Sequence, residues 1–171
     1  MSAALPSAAA PRAIRPVAPG DVPALKAVIH GTGLFPSALL DDMLADFLSG
    51  EAGDALWLTA DGVGGGAGPV AVAYAAPERM TSGTWNLSLI AVHPGRQSRG
   101  VGAALVRHVE HTLTARGARV LLVETSGLPA FARTRAFYRR EGYAEEARIR
   151  AFYAAGEDEV VFWKALDGAA P

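Results

Sequence analysis

Apolar residues along the chain follow two kinds of spacing, one typical of amphipathic helices and one typical of strands. Helical spacing occurs at 19–30, 35–50, 101–117 and 133–142. Alternating or continuous apolar runs predict strands, and they occur in RAIRPV, DALWLTA, GPVAVAYAAP, TWNLSLIAVHP, ARVLLVETS, YAEEARIRAFY and DEVVFWKAL. The resulting order, β-α-α-β-β-β-α-β-α-β-β, predicts an α/β fold of the α+β type. We expect a mixed, mostly antiparallel central sheet of six to seven strands with helices on both faces.

The predicted helices carry start and stop signals. Asp21 is the predicted N-cap of the first helix, and Gly50, Gly117 and Gly142 are the predicted stops of the other three. The predicted buried stripes are Leu25, Val28 and Ile29; Leu39, Leu40, Met43, Leu44 and Phe47; and Val101, Leu105, Val109 and Thr112/Leu113. Alternation in TWNLSLIAVHP places Trp85, Leu87, Leu89 and Ala91 on one face. ARVLLVETS is a near-continuous apolar run, which predicts a buried central strand.

Length and composition favour one globular domain. The chain has 171 residues, enough for a substantial core and too few to make two domains the expectation. We expect a disordered tail at 1–11, a single domain over 12–167 and a short tail at 168–171. Cysteine is absent, which excludes disulfides and a cysteine nucleophile. No apolar run approaches the roughly 18–20 residues of a membrane span, and the N-terminus lacks a signal-peptide pattern. The expected location is therefore the cytoplasm.

Charge gives a weaker indication of partners. The net charge is −1 at pH 7, so the whole molecule has no strong attraction to nucleic acid or to a membrane, and we expect neither as a partner. Solvation on a surface and anion binding account equally well for Arg139, Arg140 and Arg148. Arg96 and Arg99 flank a glycine turn, which favours an anion there.

That glycine turn, HPGRQSRGVGAAL at 93–105, joins a predicted strand to a predicted helix. A helix N-terminus offers free N–H groups and partial positive charge to a phosphate. The turn is not a nucleotide-binding P-loop, because Val101-Gly102 stand where Lys and Ser/Thr are required. A dinucleotide fingerprint fits less well, since Leu105 occupies its third small position. That interpretation and a turn without any ligand both stay open on these residues alone.

Two motifs together identify a family resemblance. Gln97-Ser98-Arg99-Gly100-Val101-Gly102 resembles the acyl-CoA-binding pattern Q/R-x-x-G-x-G/A of the GCN5-related N-acetyltransferases. TRAFYRREGY resembles the same family's second motif, in which a tyrosine precedes xxxGF/Y. The order of elements over about residues 13–166 also suits that family. The resemblance implies the acyl-CoA N-acyltransferase fold. It also implies transfer of an acetyl group from acetyl-CoA to a primary amine of a small molecule or peptide, by direct attack on the thioester and without a metal.

The resemblance also implies a cofactor site. In this family the pantetheine arm lies where two parallel strands splay apart, and the pyrophosphate lies on the glycine turn. Carried over, the cofactor-binding residues are Ile90, Ala91, Val92, Gln97, Ser98, Arg99, Gly100, Val101, Gly102, Ala103, Thr134 and Tyr138. One departure is Phe131, which stands where many relatives have an asparagine that helps to hold the cofactor. We expect Arg133 or Thr134 to replace that contact.

The implied chemistry moves two protons, one from the amine and one to the departing thiolate. The resemblance implies Tyr138 as the acid, with a core aromatic beside Phe137 as the alternative. Glu124 is the candidate base, directly or through a water, and an arginine salt bridge is an equal alternative. Glu78 and Asn86 are candidates to line the acceptor cleft.

The acceptor itself is not readable from the sequence. Trp57, Trp85, Phe152 and Tyr153 fit an aromatic wall for a substrate, although packing is the favoured explanation for each. An acidic cleft would indicate polyamines or aminoglycosides, and an apolar one amino acids or aromatic amines. A non-catalytic acyl-CoA-binding sensor or scaffold is the alternative function, and the presence of Tyr138 favours the enzyme. We expect a monomer or a homodimer.

Overall fold

The computed structural model describes residues 13–63 and 68–166. The predicted tails at 1–11 and 168–171, and the glycine-rich centre of the loop DGVGGGAG, lie outside the described residues.

Seven strands and four helices lie within the described residues, in the predicted order. The strands are β1 (Ile14–Pro16), β2 (Leu56–Asp61), β3 (Pro69–Pro77), β4 (Thr84–Val92), β5 (Val120–Ser126), β6 (Ala144–Ala154) and β7 (Glu157–Ala165). The helices are α1 (Val22–Thr32), α2 (Leu39–Ser49), α3 (Val101–Ala115) and α4 (Ala132–Arg140). Short 3-10 turns at Pro19–Asp21, Pro94–Arg96 and Pro129–Phe131 precede α1, α3 and α4.

The strands form one open sheet in the order β1-β2-β3-β4-β5-β7-β6. β4 and β5 are parallel, whereas β1–β2, β5–β7 and β6–β7 are antiparallel. The predicted fold class, a mixed and mostly antiparallel sheet, is therefore confirmed. Such a sheet is not the doubly wound parallel sheet on which a dinucleotide fingerprint depends.

The chain divides into two compact units, and the first comprises the residues up to Tyr74 together with Leu89–His108. Its core gathers the buried faces of α1 and α2 on the inner side chains of β2, β3 and β4. The buried members are Val17, Leu25, Val28, Ile29, Leu40, Leu44, Trp57, Val72, Leu89 and Ala91. Trp57 is 1 % exposed and stacks on Tyr74 with ring centroids 4.5 Å apart. Packing, the favoured explanation for Trp57, accounts for this residue.

Two expectations about the helices of this unit need correction. Leu39 and Met43 were predicted to share the buried stripe of α2, yet both are exposed, while Leu40 and Leu44 carry the burial. A surface helix buries only one narrow face, and these two residues lie beside it.

Asp21 does precede α1, but its carboxylate accepts from Arg15 at 2.7 and 2.9 Å and from the Ala18 N–H at 2.8 Å. It makes no side-chain capping bond to α1 because the 3-10 turn gives Asp21 a helical backbone of its own.

The second unit comprises Ala75–Ser88 and the residues from Val109 onward. β5 lies between β4 and β7, and its Leu121 and Val123 are fully buried. The predicted buried central strand is thus confirmed. β6 is the edge strand, and all of its residues are exposed.

A polar group on α3 ties together three parts of the second unit. The Glu110 carboxylate accepts from the Tyr143 hydroxyl at 2.8 Å and from the Lys164 ammonium at 2.9 Å. Lys164 also donates to the Glu141 carbonyl at 2.7 Å. These bonds join α3 to β7 and to the loop after α4, so they fix the end of the helix that carries Tyr138.

Candidate functional site

The glycine turn leads from the end of β4 into α3, within the first unit. The Gln97 Nε2 donates to the Val92 carbonyl at 3.0 Å, and the Gly95 N–H donates to the His93 Nδ1 at 3.2 Å. These two bonds fold the turn back onto the strand that precedes it. The turn is therefore held by its own side chains before any ligand is considered.

Two residues of the turn have left-handed backbone conformations. Ser98 has a φ of +58° and Gly100 a φ of +79°. The Ala104 N–H donates to the Gly100 carbonyl at 2.9 Å, which makes Gly100 the residue at the start of α3. The first four N–H groups of a helix have no partner within it, so those from Gly100 to Ala103 are directed out of the helix end. A Cβ on Gly100 would meet no atom within 4 Å, so glycine is required there for its φ and not for lack of space.

Helix α1 approaches this turn closely at Gly31. A Cβ built on Gly31 would lie 3.0 Å from the Pro94 Cδ, closer than ordinary van der Waals contact. Glycine at this position lets α1 approach the turn. The prediction of an anion-binding turn named neither Gly31 nor this contact, because the two segments are far apart in the sequence.

The strand that leads into the turn pairs with β5 over only part of its length. The parallel ladder runs from Thr84–Val120 to Asn86–Leu122, whereas β4 continues to Val92. Ala91 is buried, and Ile90 and Val92 are half-buried. The backbone of Ile90–Val92 thus lies beyond the end of that ladder.

Tyr138 lies on α4 in the second unit and is 2 % exposed. Its ring packs against Phe137, Tyr143 and Phe162, with centroids 5.2, 5.5 and 5.6 Å away. Burial raises the pKa of Tyr138 above its ordinary value, so the hydroxyl keeps its proton at neutral pH. The ring is a core aromatic, as the alternative prediction had it, and the hydroxyl is a protonated donor.

Glu124 is the exposed residue in an otherwise largely buried β5. Its Oε1 accepts from the Asn86 Nδ2 at 3.0 Å, and the same nitrogen donates to the Glu78 Oε1 at 3.2 Å. Three predicted candidates for the acceptor side, on β4, on β5 and in the turn after β3, therefore meet at one amide group. Among the described residues no lysine or arginine forms an ion pair with Glu124, and the salt-bridge explanation loses its support.

Several arginines of the second unit have other partners. Arg139 pairs with Glu145, and Arg148 pairs with Asp158 at 3.3 Å. Arg135 donates to the carbonyls of Ser126 and Leu128 at 2.6 and 2.9 Å. It anchors the loop between β5 and α4, a role that the sequence analysis did not consider. Thr134 is half-buried on α4 and Arg133 is exposed, and their part in cofactor binding stays a prediction.

Glu159 is a second residue that sequence reasoning missed. It lies on β7, is 3 % exposed, and its Oε1 lies 3.4 Å from the Tyr153 hydroxyl, which donates to it. Burial, followed by the negative charge of Glu124, raises the pKa of Glu159. The sequence signal for Glu159 is a carboxylate at the start of the apolar run EVVF. In the structure Glu159 pairs with Ser126, two positions along β7 from Val161, which pairs with Glu124.

Comparison with known proteins shows what this chain is similar to. A family model described as "Acetyltransferase (GNAT) domain" matches residues 52–145. A solved protein from Desulfovibrio desulfuricans, assigned to the GNAT family of acetyltransferases, is 33 % identical, with a TM-score of 0.82 over 90 % of this chain and 98 % of that one. No curated protein matches the chain at a significant level.

More distant structures share the fold. The ribosomal-protein-S18-alanine N-acetyltransferase of Escherichia coli is 23 % identical, with a TM-score of 0.71 over 92 % of this chain and 96 % of that one. A protein of Salmonella typhimurium solved with its cofactor acetyl-CoA is 17 % identical, with a TM-score of 0.73 over 93 % and 96 %.

The sheet and the glycine turn define an acyl-CoA N-acyltransferase fold. Within that class the chain belongs to the GNAT family of acetyltransferases. None of the helices in the described ranges is both long and apolar enough to cross a membrane.

Proposed function

We propose that this protein transfers an acetyl group from acetyl-CoA to a primary amine of a small molecule or peptide, by direct attack of the amine on the thioester. The observation that carries the proposal is the glycine turn, where a left-handed Gly100 opens the N-terminus of α3. Such a helix end binds a pyrophosphate through backbone N–H groups and partial positive charge. Membership of an acetyltransferase family supports CoA as the molecule that carries this pyrophosphate.

The donor would bind along the turn and the strand before it. The N–H groups from Gln97 to Ala103 would hold the pyrophosphate, with Arg96 and Arg99 beside it. The backbone of Ile90–Val92, beyond the end of the β4–β5 ladder, would pair with the amide groups of the pantetheine arm. Thr134 would replace the contact that an asparagine makes in many relatives.

Glu124 would serve the acceptor amine. An amine near pKa 10 arrives mostly as the ammonium, so one proton must leave before its lone pair can form the N–C bond. Glu124 already accepts one hydrogen bond from Asn86, and a carboxylate has further lone pairs for an ammonium donor. It would take that proton directly or through one water.

Tyr138 would donate a proton to the departing CoA sulfur. As the C–S bond breaks, the sulfur receives the electron pair, and a phenol hydroxyl can protonate it. The raised pKa of Tyr138 supports this role in one respect, since the acid is fully protonated at the working pH. The same shift makes the phenol a weaker acid than an ordinary tyrosine, so its hydroxyl would have to lie within hydrogen-bond distance of the sulfur and share its proton as the C–S bond breaks.

The test is a thiol-release assay with acetyl-CoA across a panel of primary amines, paired with calorimetric titration of acetyl-CoA. Binding together with turnover on at least one amine supports the proposal. Tight binding without turnover on any amine would instead support an acyl-CoA sensor or scaffold. Absence of acetyl-CoA binding would overturn both.

We further propose that the protein acts in the cytoplasm as a monomer or homodimer. The proposal includes no metal requirement and no nucleic-acid or membrane partner. Activity after treatment with a chelator tests the metal requirement, and the mass in solution from light scattering tests the oligomeric state.

A further inference from the structure

The second unit contains a group of three carboxylates that the proposed reaction does not fully use. Glu78 and Glu124 accept hydrogen bonds from Asn86, and Glu159 accepts one from Tyr153; we call these five residues the acidic cluster. We propose that the acidic cluster binds an acceptor with two ammonium groups, one at Glu124 and one at Glu159. This inference rests on the proposed function, because Glu124 is there the group beside the reacting amine.

The cluster lacks positive charge of its own. Among the described residues no lysine, arginine or histidine forms an ion pair with Glu78, Glu124 or Glu159, although ion pairs occur elsewhere in the same unit. The hydrogen bonds from Asn86 bring two of the carboxylates together without neutralising them. Like charges held this close favour the binding of a cation.

Asn86 supplies an independent observation. It is 7 % exposed, and its Oδ1 is buried without a hydrogen-bond partner. Both contacts of the amide nitrogen are to carboxylates, so the amide cannot be turned over without bringing its oxygen against them. A buried acceptor of this kind is costly unless a donor reaches it. An ammonium group brings three donors and no acceptor, which matches the acceptor oxygens that Glu78 and Glu124 present around the amide nitrogen.

Glu159 gives the cluster a second position. Glu124 lies opposite Val161 on the neighbouring β7, so Glu159, two residues along, lies diagonally across from it on the same face. Diagonal neighbours of a sheet are about 7–8 Å apart. Both side chains therefore start from one side of the sheet, at a backbone separation close to the length of a short diamine.

Tyr153 completes the second position. A shift in the β6–β7 register between Ile149 and Ala154, with a left-handed Ala151, lies next to this residue. The Tyr153 hydroxyl donates to Glu159, while the residue as a whole is 47 % exposed. An exposed aromatic ring beside a carboxylate suits an alkylammonium, which interacts with the ring face as well as with the charge.

The proposed ligand is organic rather than a metal ion. In the part of the chain that the structure describes, no group of three or more His, Asp or Glu is arranged to hold a metal. Asn86 directs its amide nitrogen at Glu78 and Glu124, so a metal ion held between these two carboxylates would lie against an N–H donor. A diamine avoids that nitrogen, because its two charges lie at separate carboxylates.

The test compares two acceptors of equal chain length, 1,4-diaminobutane and n-butylamine, with acetyl-CoA and the full-length protein. We expect kcat/KM for the diamine to exceed that for the monoamine by about tenfold or more, the effect of one additional charge-assisted contact. In Glu159→Gln the ratio should fall close to one. In Glu146→Gln, which removes an exposed carboxylate of β6 outside the cluster, the ratio should keep its wild-type value.

Turnover of both amines with a ratio near one in the wild-type protein would overturn this inference and leave the proposed function standing. If no amine is acetylated, the proposed function fails, and calorimetry decides on the cluster separately. Titration of 1,4-diaminobutane into the CoA-bound protein should then show binding that Glu159→Gln weakens and Glu146→Gln does not. No diamine binding in that titration would overturn the inference as well.

Discussion

The amide nitrogen of Asn86 lies 3.0 Å from the Glu124 Oε1, and this bond joins β4 to β5 at the point where their parallel ladder ends. Asn86 is the last β4 residue of the ladder, and Glu124 lies two residues beyond the last β5 residue. The bond therefore holds an exposed carboxylate at the end of the ladder with its orientation set by a buried neighbour. A group held in this way needs little reorganisation before it accepts a proton.

Replacement of Glu124 by glutamine tests its role as base. We expect kcat to fall about 10²-fold or more, the usual contribution of a general base, because an amide cannot accept the proton. The hydrogen bond from Asn86 should survive, since the glutamine oxygen is also an acceptor. Steady-state kinetics with a responsive amine measure the effect, with Glu146→Gln as the matched surface control. An unchanged kcat would assign the proton to water or to another residue.

Replacement of Tyr138 by phenylalanine tests the acid. We expect kcat to fall by roughly 10²–10³, while calorimetric binding of acetyl-CoA changes little. The phenylalanine keeps the ring contacts with Phe137, Tyr143 and Phe162, so the fold should tolerate the change.

Tyr143→Phe provides the control for that variant. It removes a hydroxyl from another buried ring, one that donates to Glu110. We expect it to lower stability more than turnover. Wild-type turnover in the Tyr138→Phe protein would remove this hydroxyl from the acid role.

The conformation of Gly100 can be tested with a closely matched control. Gly100 and Gly117 flank the two ends of α3, both with a φ of +79° and both with nothing within 4 Å of an added Cβ. Alanine at either position should therefore cost a similar stability, about 1 kcal/mol.

The two alanine variants should differ in donor binding. We expect Gly100→Ala to raise the Kd for acetyl-CoA by about tenfold, since the strained turn would no longer direct its N–H groups together. Gly117→Ala should leave that Kd unchanged. Equal effects on acetyl-CoA binding would mean that the turn does not hold the donor.

Buried tyrosines predict a loss of stability at alkaline pH. Burial raises the pKa of Tyr138 and Tyr143, whereas in the unfolded chain both phenols ionise near pH 10. Above that pH the unfolded state binds fewer protons than the folded state, so the free energy of unfolding falls as pH rises. The expected slope is up to about 1.4 kcal/mol per pH unit for each tyrosine, with no contribution from either group below about pH 9.

Urea unfolding between pH 8 and 11 measures that slope. Tyr143→Phe removes one of the two phenols. The fall of the unfolding free energy above pH 10 should therefore become shallower by up to about 1.4 kcal/mol per pH unit, the contribution of one proton. A slope identical to that of the wild-type protein would show that Tyr143 does not keep its proton in the fold.

Much of the fold could be predicted because it depends on local patterns. The alternation of TWNLSLIAVHP and the periodic stripe of α3 correspond to buried faces in the structure. Left-handed glycines at Gly50, Gly117 and Gly142 follow three helices, as their positions predicted. Where the pattern was wider than one face, as for Leu39 and Met43, the prediction was wrong, because spacing alone does not say how much of a helix a neighbour will cover.

The sequence by itself determined the order of the elements, the mixed sheet and the family, since each depends on residues that are close along the chain. Only the tertiary structure decided which side chains meet. It brought Glu78 and Glu124 to one amide of Asn86, buried Glu159 beside Tyr153, and set Gly31 against Pro94. These contacts depend on strand register, on a shift in the β6–β7 ladder and on the approach of a helix to a turn. None of these leaves a periodic signal in the sequence, because each is a balance of packing between segments far apart in the chain.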